Sequence, residues 1–224
     1  MCIYTPVSHL KHLYYCMHSV KLVHSTPDGD NLVSYMARVS NPSNQNNTET
    51  SARLIKYLIS HKHWSPFEMV NMCVEIHTTR SIAAQILRHR SFSFQEFSQR
   101  YAEVTARPDT LVVRRQDDKN RQSSIDDVDP YTSQDFQIKA QQVYDMSYGL
   151  YNEMLAAGIA KECAREVLPM SSPTTLYMNG TLRSWMHYCE LRCANGTQEE
   201  HKRIATQCKN IIRSYFPKVY AAMW

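Results

Sequence analysis

The sequence predicts an α+β fold, and three observations carry that prediction. Stretches with apolar residues at i, i+3 and i+4 recur along the chain, whereas alternating stretches are few and short. Hydrophobic residues at 43% against charged residues at 21% are enough to build a packed core. A length of 224 residues fits one domain over 1–224, with a polar excursion at about 117–130.

The elements follow in order. Residues from about Asn31 to Val39 and from Ser51 to Lys62 read as helices, the second with Ala52, Leu54, Ile55, Leu58 and Ile59 in helical register. From Met69 to His77 the pattern alternates: Val70, Met72, Val74 and Ile76 point one way, and Asn71, Cys73, Glu75 and His77 the other, as in a half-buried strand. Thr79 to Arg90 returns to helix, with Ile82, Ala83, Ile86 and Leu87 on one face. Ser91 to Tyr101 alternates again, which predicts an extended segment with Glu96, Ser98 and Arg100 on one side. Asp117 to Pro130 is polar and reads as a loop. Helix resumes near Gln134, where Phe136, Ala140, Val143, Ser147, Leu150 and Met154 step by four and three, and Gly158 is the expected stop. Ile159 to Val167 predicts a helix ended by Pro169, Thr174 to Tyr177 a short strand, and Leu182 to Cys193 and Gln198 to Tyr215 two more helices.

Composition narrows the chemistry. None of the five glycines sits in a GxGxxG or GxxxxGK[ST] arrangement, so phosphate must be gripped mainly by side chains. Arginine outnumbers lysine 15 to 10, and arginine suits bidentate recognition of phosphate and carboxylate. A net charge of +4 is weak for a dedicated nucleic-acid binder. No apolar run reaches the roughly 18–20 residues that span a bilayer. The N-terminal MCIYTPVSHLKHLYY lacks a basic stretch followed by a long apolar one, so no cleaved signal is expected. Seven cysteines form no CxxC, and Cys189 with Cys193 is too isolated for zinc, so no metal is expected and a reducing cytoplasm is the simplest setting.

Polar residues concentrate in Arg88-His89-Arg90 and the following SFSFQEFSQRY. A carboxylate, a hydroxyl and guanidinium groups on one surface could clamp a phosphate and hydrogen-bond a sugar or base. Basic residues in a helix's last turn also complement its dipole without any function, and Phe92, Phe94 and Phe97 suit packing. Ser98 could be read as a nucleophile, but no histidine–carboxylate pair nearby would activate it, which favours a phosphate-binding serine.

Arg88-His89-Arg90 followed by seven residues and Ser98 resembles the signature of flavin-dependent thymidylate synthases. Other blocks agree in order: Ala37-Arg38-Val39-Ser40, His63-Trp64-Ser65-Pro66-Phe67-Glu68, Ala164-Arg165-Glu166-Val167-Leu168-Pro169, Leu182-Arg183-Ser184 and Glu190-Leu191-Arg192. The resemblance runs from about residue 30 to 215, and its wording is similar to versions in large algal viruses and cyanobacteria.

The resemblance implies a central, mostly antiparallel sheet flanked by long helices, assembled as a homotetramer with sites at subunit interfaces. It implies reductive methylation of dUMP to dTMP, with FAD as hydride carrier, 5,10-methylenetetrahydrofolate as carbon donor and NADPH as reductant. Gln85, Arg88, Glu96, Phe97, Ser98, Gln99, Arg100, Arg165 and Arg192 are then the dUMP residues, and Arg192 is catalytic, polarising the pyrimidine at N3. Ser40, Ser65, Glu68, Arg88, His89, Arg90, Glu96, Thr181, Arg183 and His187 are the FAD residues. His63 and Tyr101 are then expected near the folate and NADPH, His63 also near the flavin ring, with a core histidine as the alternative reading of His63. Gln95, Thr181 and His187 stand where the family often has asparagine, and CANGTQ after Arg192 replaces a stretch where a histidine is frequent, so nothing is carried onto Gly196. The expected partners are these small molecules, with no nucleic acid and no membrane, in the cytoplasm (the host's, for a viral chain). A nucleic-acid binder, or a flavin protein of the same fold with altered activity, are the alternatives.

Overall fold

The computed structural model describes residues 17–224, and the expectation about the N-terminal stretch lies outside the described residues. Strands β1 (Ser19–Ser25), β2 (Asn71–Thr79), β3 (Ser93–Glu96) and β6 (Pro173–Thr181) form one sheet in the order β1-β2-β6-β3, every pair antiparallel. A small hairpin joins β4 (Arg115–Gln116) to β5 (Ser124–Ile125). The helices are α1 (Gly29–Ala37), α2 (Ser51–Ser60), α3 (Arg80–Ile86), α4 (Pro130–Ala156), α5 (Lys161–Ala164), α6 (Leu182–Arg192), α7 (Glu199–Tyr215) and α8 (Pro217–Met223).

The α+β class holds, and the alternation in β2 does what it predicts. Met72, Val74 and Ile76 pair with Gly180, Met178 and Leu176 of β6, and the side chains of this face are fully buried. Helices cover that face with Ile82 and Ile86 of α3, Trp185 and Tyr188 of α6, and Ile204, Cys208 and Ile212 of α7. The opposite face is open and polar, where Glu75, His77, Thr175 and Tyr177 bond to one another across β2 and β6. Buried Asp30 of α1 accepts the first N–H groups of α8, from Lys218 at 2.7 Å and Val219 at 3.2 Å, and so ties the two helices together.

Five expectations need correction. The extended segment ends at Glu96: Phe97 donates its N–H to Thr175, and Tyr101 and Ala102 then turn back onto the Ser98 carbonyl. Glu96, Ser98 and Arg100 therefore do not share a strand face. Helix α3 stops at Ile86, so Arg88, His89 and Arg90 lie in the turns beyond it and not in its last turn. The segment 117–130 is not all loop: it carries the return strand β5, and Arg115 holds it by reaching Asp127 and Asp118. The helix expected over Ile159 to Val167 is only α5 followed by a short 3-10 turn over Arg165–Val167.

The fifth correction concerns the buried face of α4. Phe136, Val143 and Leu150 are exposed, while Tyr144, Tyr148 and Tyr151 face inward. Their hydroxyls find partners there: Tyr148 donates to the Ala106 carbonyl at 2.9 Å, and Tyr151 accepts the Val104 N–H at 3.0 Å. The stop at Gly158 is as expected. Its φ of +79° is a conformation glycine adopts without penalty, and Ile159 donates to Met154 while Gly158 donates to Leu155, closing the helix.

Candidate active site

Two groups of the expected residues come together. The first is built on Glu68, in the 3-10 turn Ser65–Met69 that leads into β2. Its carboxylate accepts from the Thr181 hydroxyl at 2.7 Å and from Arg183 at 2.7 Å, at the junction of β6 and α6. The Thr181 hydrogen bond, followed by the Arg183 hydrogen bond and charge, holds Glu68 below the usual carboxylate range. Thr181 also accepts the Ser184 N–H and so caps α6. Glu68, Arg183 and His187 line a cavity of about 400 Å³, walled by Trp64, Met186 and Met223.

The second group is built on α6, α7 and the turn after α3. Arg192, in the last turn of α6, donates its Nε–H to Nε2 of His89 at 2.8 Å. Because Nε2 accepts, the imidazole is neutral and carries its proton on Nδ1. Burial, with the charges of Arg192, His187 and Arg88, holds His89 down to about 4. The ring stands edge-on to Tyr188, 4.9 Å away, and 6.2 Å from the buried ring of His201. Gln85, at the end of α3, bonds to His201 at 3.3 Å and to Gln198 at 2.6 Å.

The remaining expected residues are more dispersed. Ser98, Arg100 and Tyr101 line a shallow cavity of about 320 Å³ with Lys161 and Glu162, and Arg100 pairs with Glu162 at 3.0 Å. Glu96 is taken up by Arg80 and by Thr174. Gln99 is buried with its Nε2 unbonded, and the buried Nε of Arg165 has no hydrogen bond, its 3.4 Å approach to Glu166 being ionic only. Phe97 is partly exposed. Ser40, His63, Ser65, Arg88 and Arg90 are exposed and bond to no other residue of the set. His63 instead packs its ring near Tyr57 and His61.

Sequence reasoning missed His201 and Tyr188. A signal for His201 existed: it lies three, four and seven residues before Ile204, Ala205 and Cys208, on the apolar stripe of α7.

The neutral histidines carry a pH dependence. Burial, with the charges of Arg192 and His89, holds His201 down to about 3, below its ordinary 6.5. His89 and His18 shift in the same direction. Unfolded histidines bind protons that the folded ones refuse, so this stability is complete above pH 6.5 and is lost as pH falls toward those lowered values. His201 alone accounts for about 1 kcal/mol by pH 5.5. The melting temperature is expected to drop by roughly 3 °C or more between pH 7.5 and 5.5. An unchanged melting temperature would refute the neutral assignment.

Comparison with known proteins bears on the same segments. Residues 21–218 match the family described as "Thymidylate synthase complementing protein". A protein of Paramecium bursaria Chlorella virus 1, "Probable flavin-dependent thymidylate synthase", is 51% identical over 90% of this chain and 94% of its own length. The "Flavin-dependent thymidylate synthase" of Synechocystis sp. is 50% identical over 88% of this chain and 90% of its own. Among solved structures, a UMP/dUMP methylase PolB from Streptomyces cacaoi bound with 5-Br dUMP superposes with a TM-score of 0.82. It has 29% identity and covers 92% of this chain and 93% of the methylase.

Proposed function

The chain belongs to the thymidylate synthase complementing family, the flavin-dependent thymidylate synthases, and from that premise we propose how its own residues carry out the methylation of dUMP to dTMP. The observation that carries the reading is the Arg192–His89 pair. The Nε–H of Arg192 is spent on a neutral imidazole, which leaves its two terminal amino groups without a protein partner among the described residues and free for a ligand. Arginine is too weak an acid to act as a base, but it stabilises negative charge on a pyrimidine ring and so makes carbon 5 nucleophilic. A thiol route has little support, because burial pushes Cys73, Cys189 and Cys208 above the ordinary thiol range.

The residues present fit a flavin. The first cavity offers aromatic and thioether walls beside a fixed carboxylate and the half-exposed guanidinium of Arg183, a lining suited to a ring system and to phosphate. Glu68 would hold Thr181 and Arg183 in place, with His187 beside them, and Ser40, Ser65, Arg88, His89, Arg90 and Glu96 would complete the FAD contacts. Bound FAD supplies the hydride, taken from NADPH, that completes the methyl group delivered by methylenetetrahydrofolate.

On the nucleotide side, the unbonded donors of Gln99 and Arg165 fit a phosphate or sugar oxygen, and unsatisfied buried donors are costly unless a ligand takes them up. Gln85, Arg88, Phe97, Ser98 and Arg100 complete that set, and His63 and Tyr101 are assigned to the folate and NADPH side. A homotetramer accounts for the dispersal of these segments. It is supported by the exposed apolar stripe of Phe136, Val143, Met146 and Leu150 on α4, a face that association would cover. Among the described residues no helix is long and apolar enough to cross a membrane.

The test is the visible absorption spectrum of the purified protein with FAD, before and after dUMP, followed by dTMP formation with both co-substrates. A flavin spectrum that shifts on adding dUMP, and turnover, are expected. A protein that takes up no flavin and binds DNA or RNA in a salt-dependent way would overturn the reading.

A further inference from the structure

We propose that His201 is a positioning residue that, with Gln198, locks the side-chain amide of Gln85 in a single orientation for the nucleotide. The proposal rests on the reading of Gln85 as a dUMP contact.

The hydrogen bonds from α7 to α3 admit only one direction. Glu200, paired with Arg114 at 2.5 Å, presents acceptors only, so the Gln198 atom 2.9 Å from its other oxygen is the Nε2 donor. Gln198 therefore turns its Oε1 toward Gln85, which must answer with its own Nε2 at 2.6 Å. That leaves Oε1 of Gln85 facing Nδ1 of His201 at 3.3 Å. An amide oxygen cannot donate, so Nδ1 carries the proton and Nε2 accepts from the Tyr188 hydroxyl at 3.2 Å. Burial keeps that hydroxyl protonated. Each assignment follows from the one before it, and the starting point is a carboxylate that has no choice.

The elements explain why such a lock is useful. Gln85 sits near the end of α3, a helix of 7 residues, and a glutamine side chain has three rotatable bonds and two amide orientations. His201 sits fully buried on α7, a helix of 17 residues anchored by Ile204, Cys208 and Ile212. A rigid element thus fixes a group carried by a short one. The amide keeps one N–H and one lone pair for a ligand, presented with a set polarity. Neither His201 nor Gln198 need touch the ligand.

The test uses the holoenzyme and steady-state kinetics with dUMP as the varied substrate. His201→Phe keeps a ring but removes both hydrogen bonds, and Gln198→Leu removes the other end of the lock at an exposed position where folding is not at risk. Each should raise KM for dUMP about fivefold, the effect of about one hydrogen bond, with a smaller change in kcat. Neither should add to the effect of Gln85→Ala in a double variant. His201→Asn, whose amide N–H can stand in for Nδ1–H, should restore most of the loss. Wild-type KM in both single variants, or multiplication of effects in the doubles, would overturn the proposal. A normal KM in Gln85→Ala with active wild type would overturn it and leave the methylation reading standing, whereas a wild type that makes no dTMP would overturn both.

Discussion

Replacing Arg192 by alanine is expected to lower dTMP formation by about two to three orders of magnitude while FAD remains bound. That loss is typical of removing a preorganised charge that acts on the transition state. The geometry makes the prediction specific. Arg192 reaches His89 through Nε, so its fork is aimed by an imidazole that stays neutral because burial and the neighbouring guanidinium groups of Arg192 and Arg88 oppose a further positive charge. Arg192→Lys keeps a charge but loses both the Nε–H anchor and the planar fork, and should recover little activity. If the residue acts on the ring and not on the bound cofactor, as proposed, kcat should fall far more than the flavin content of the protein. Turnover within twofold of wild type in Arg192→Ala would remove it from the mechanism.

The second large effect is expected at Gly180, on stability. A Cβ there would lie 2.4 Å from Cδ1 and 2.7 Å from Cε1 of Phe92. Phe92 cannot withdraw, because its ring meets Trp185 at 4.7 Å and Tyr188 at 5.9 Å, and Trp185 is itself held by a hydrogen bond to the Met72 carbonyl. Overpacking of this kind costs about 1–3 kcal/mol. Gly180→Ala should therefore melt about 3–9 °C lower. Flavin retention should fall with it, since Phe92 also lies 6.5 Å from His89. Gly149→Ala is the control: beyond the helix's own neighbouring backbone nothing lies within 4 Å of its added Cβ in the interior of α4, and helix propensity favours alanine there by about 1 kcal/mol. Equal melting temperatures for the two variants would show that the Phe92 packing gives way easily.

Local patterns in the chain were enough to place β2, α2, α6 and α7 and the motif residues, because each depends on spacing within a few turns or a few pleats. The α+β class followed from them, whereas the pairing of Glu68 with Arg183 joins residues 115 positions apart and is seen only in the structure. Strand β1 went unanticipated because its register shifts between Leu22 and His24, and that irregularity breaks the alternation a reader looks for. The inward face of α4 differs from the apolar stepping of Phe136, Val143 and Leu150 because buried backbone groups at Val104 and Ala106 take up the hydroxyls of Tyr151 and Tyr148, and a pattern of apolar residues does not register that partnership. The links from Gln85 to His201 and from His89 to Arg192 join residues more than a hundred positions apart, and no local period records them.

Strands β2 and β6 lie side by side at the centre of the sheet, yet residues 80–172 separate them along the chain. The polymer must therefore close a very long loop before its central ladder can zip, and such non-local pairing is the slow step for many sheets. Gln85, His89 and Arg165 all ride on that loop, whereas Arg183, Arg192 and His201 follow it. During synthesis the proposed nucleotide site cannot assemble until the last third of the chain has emerged, and a truncated nascent chain would present an unpaired β2 edge to its surroundings.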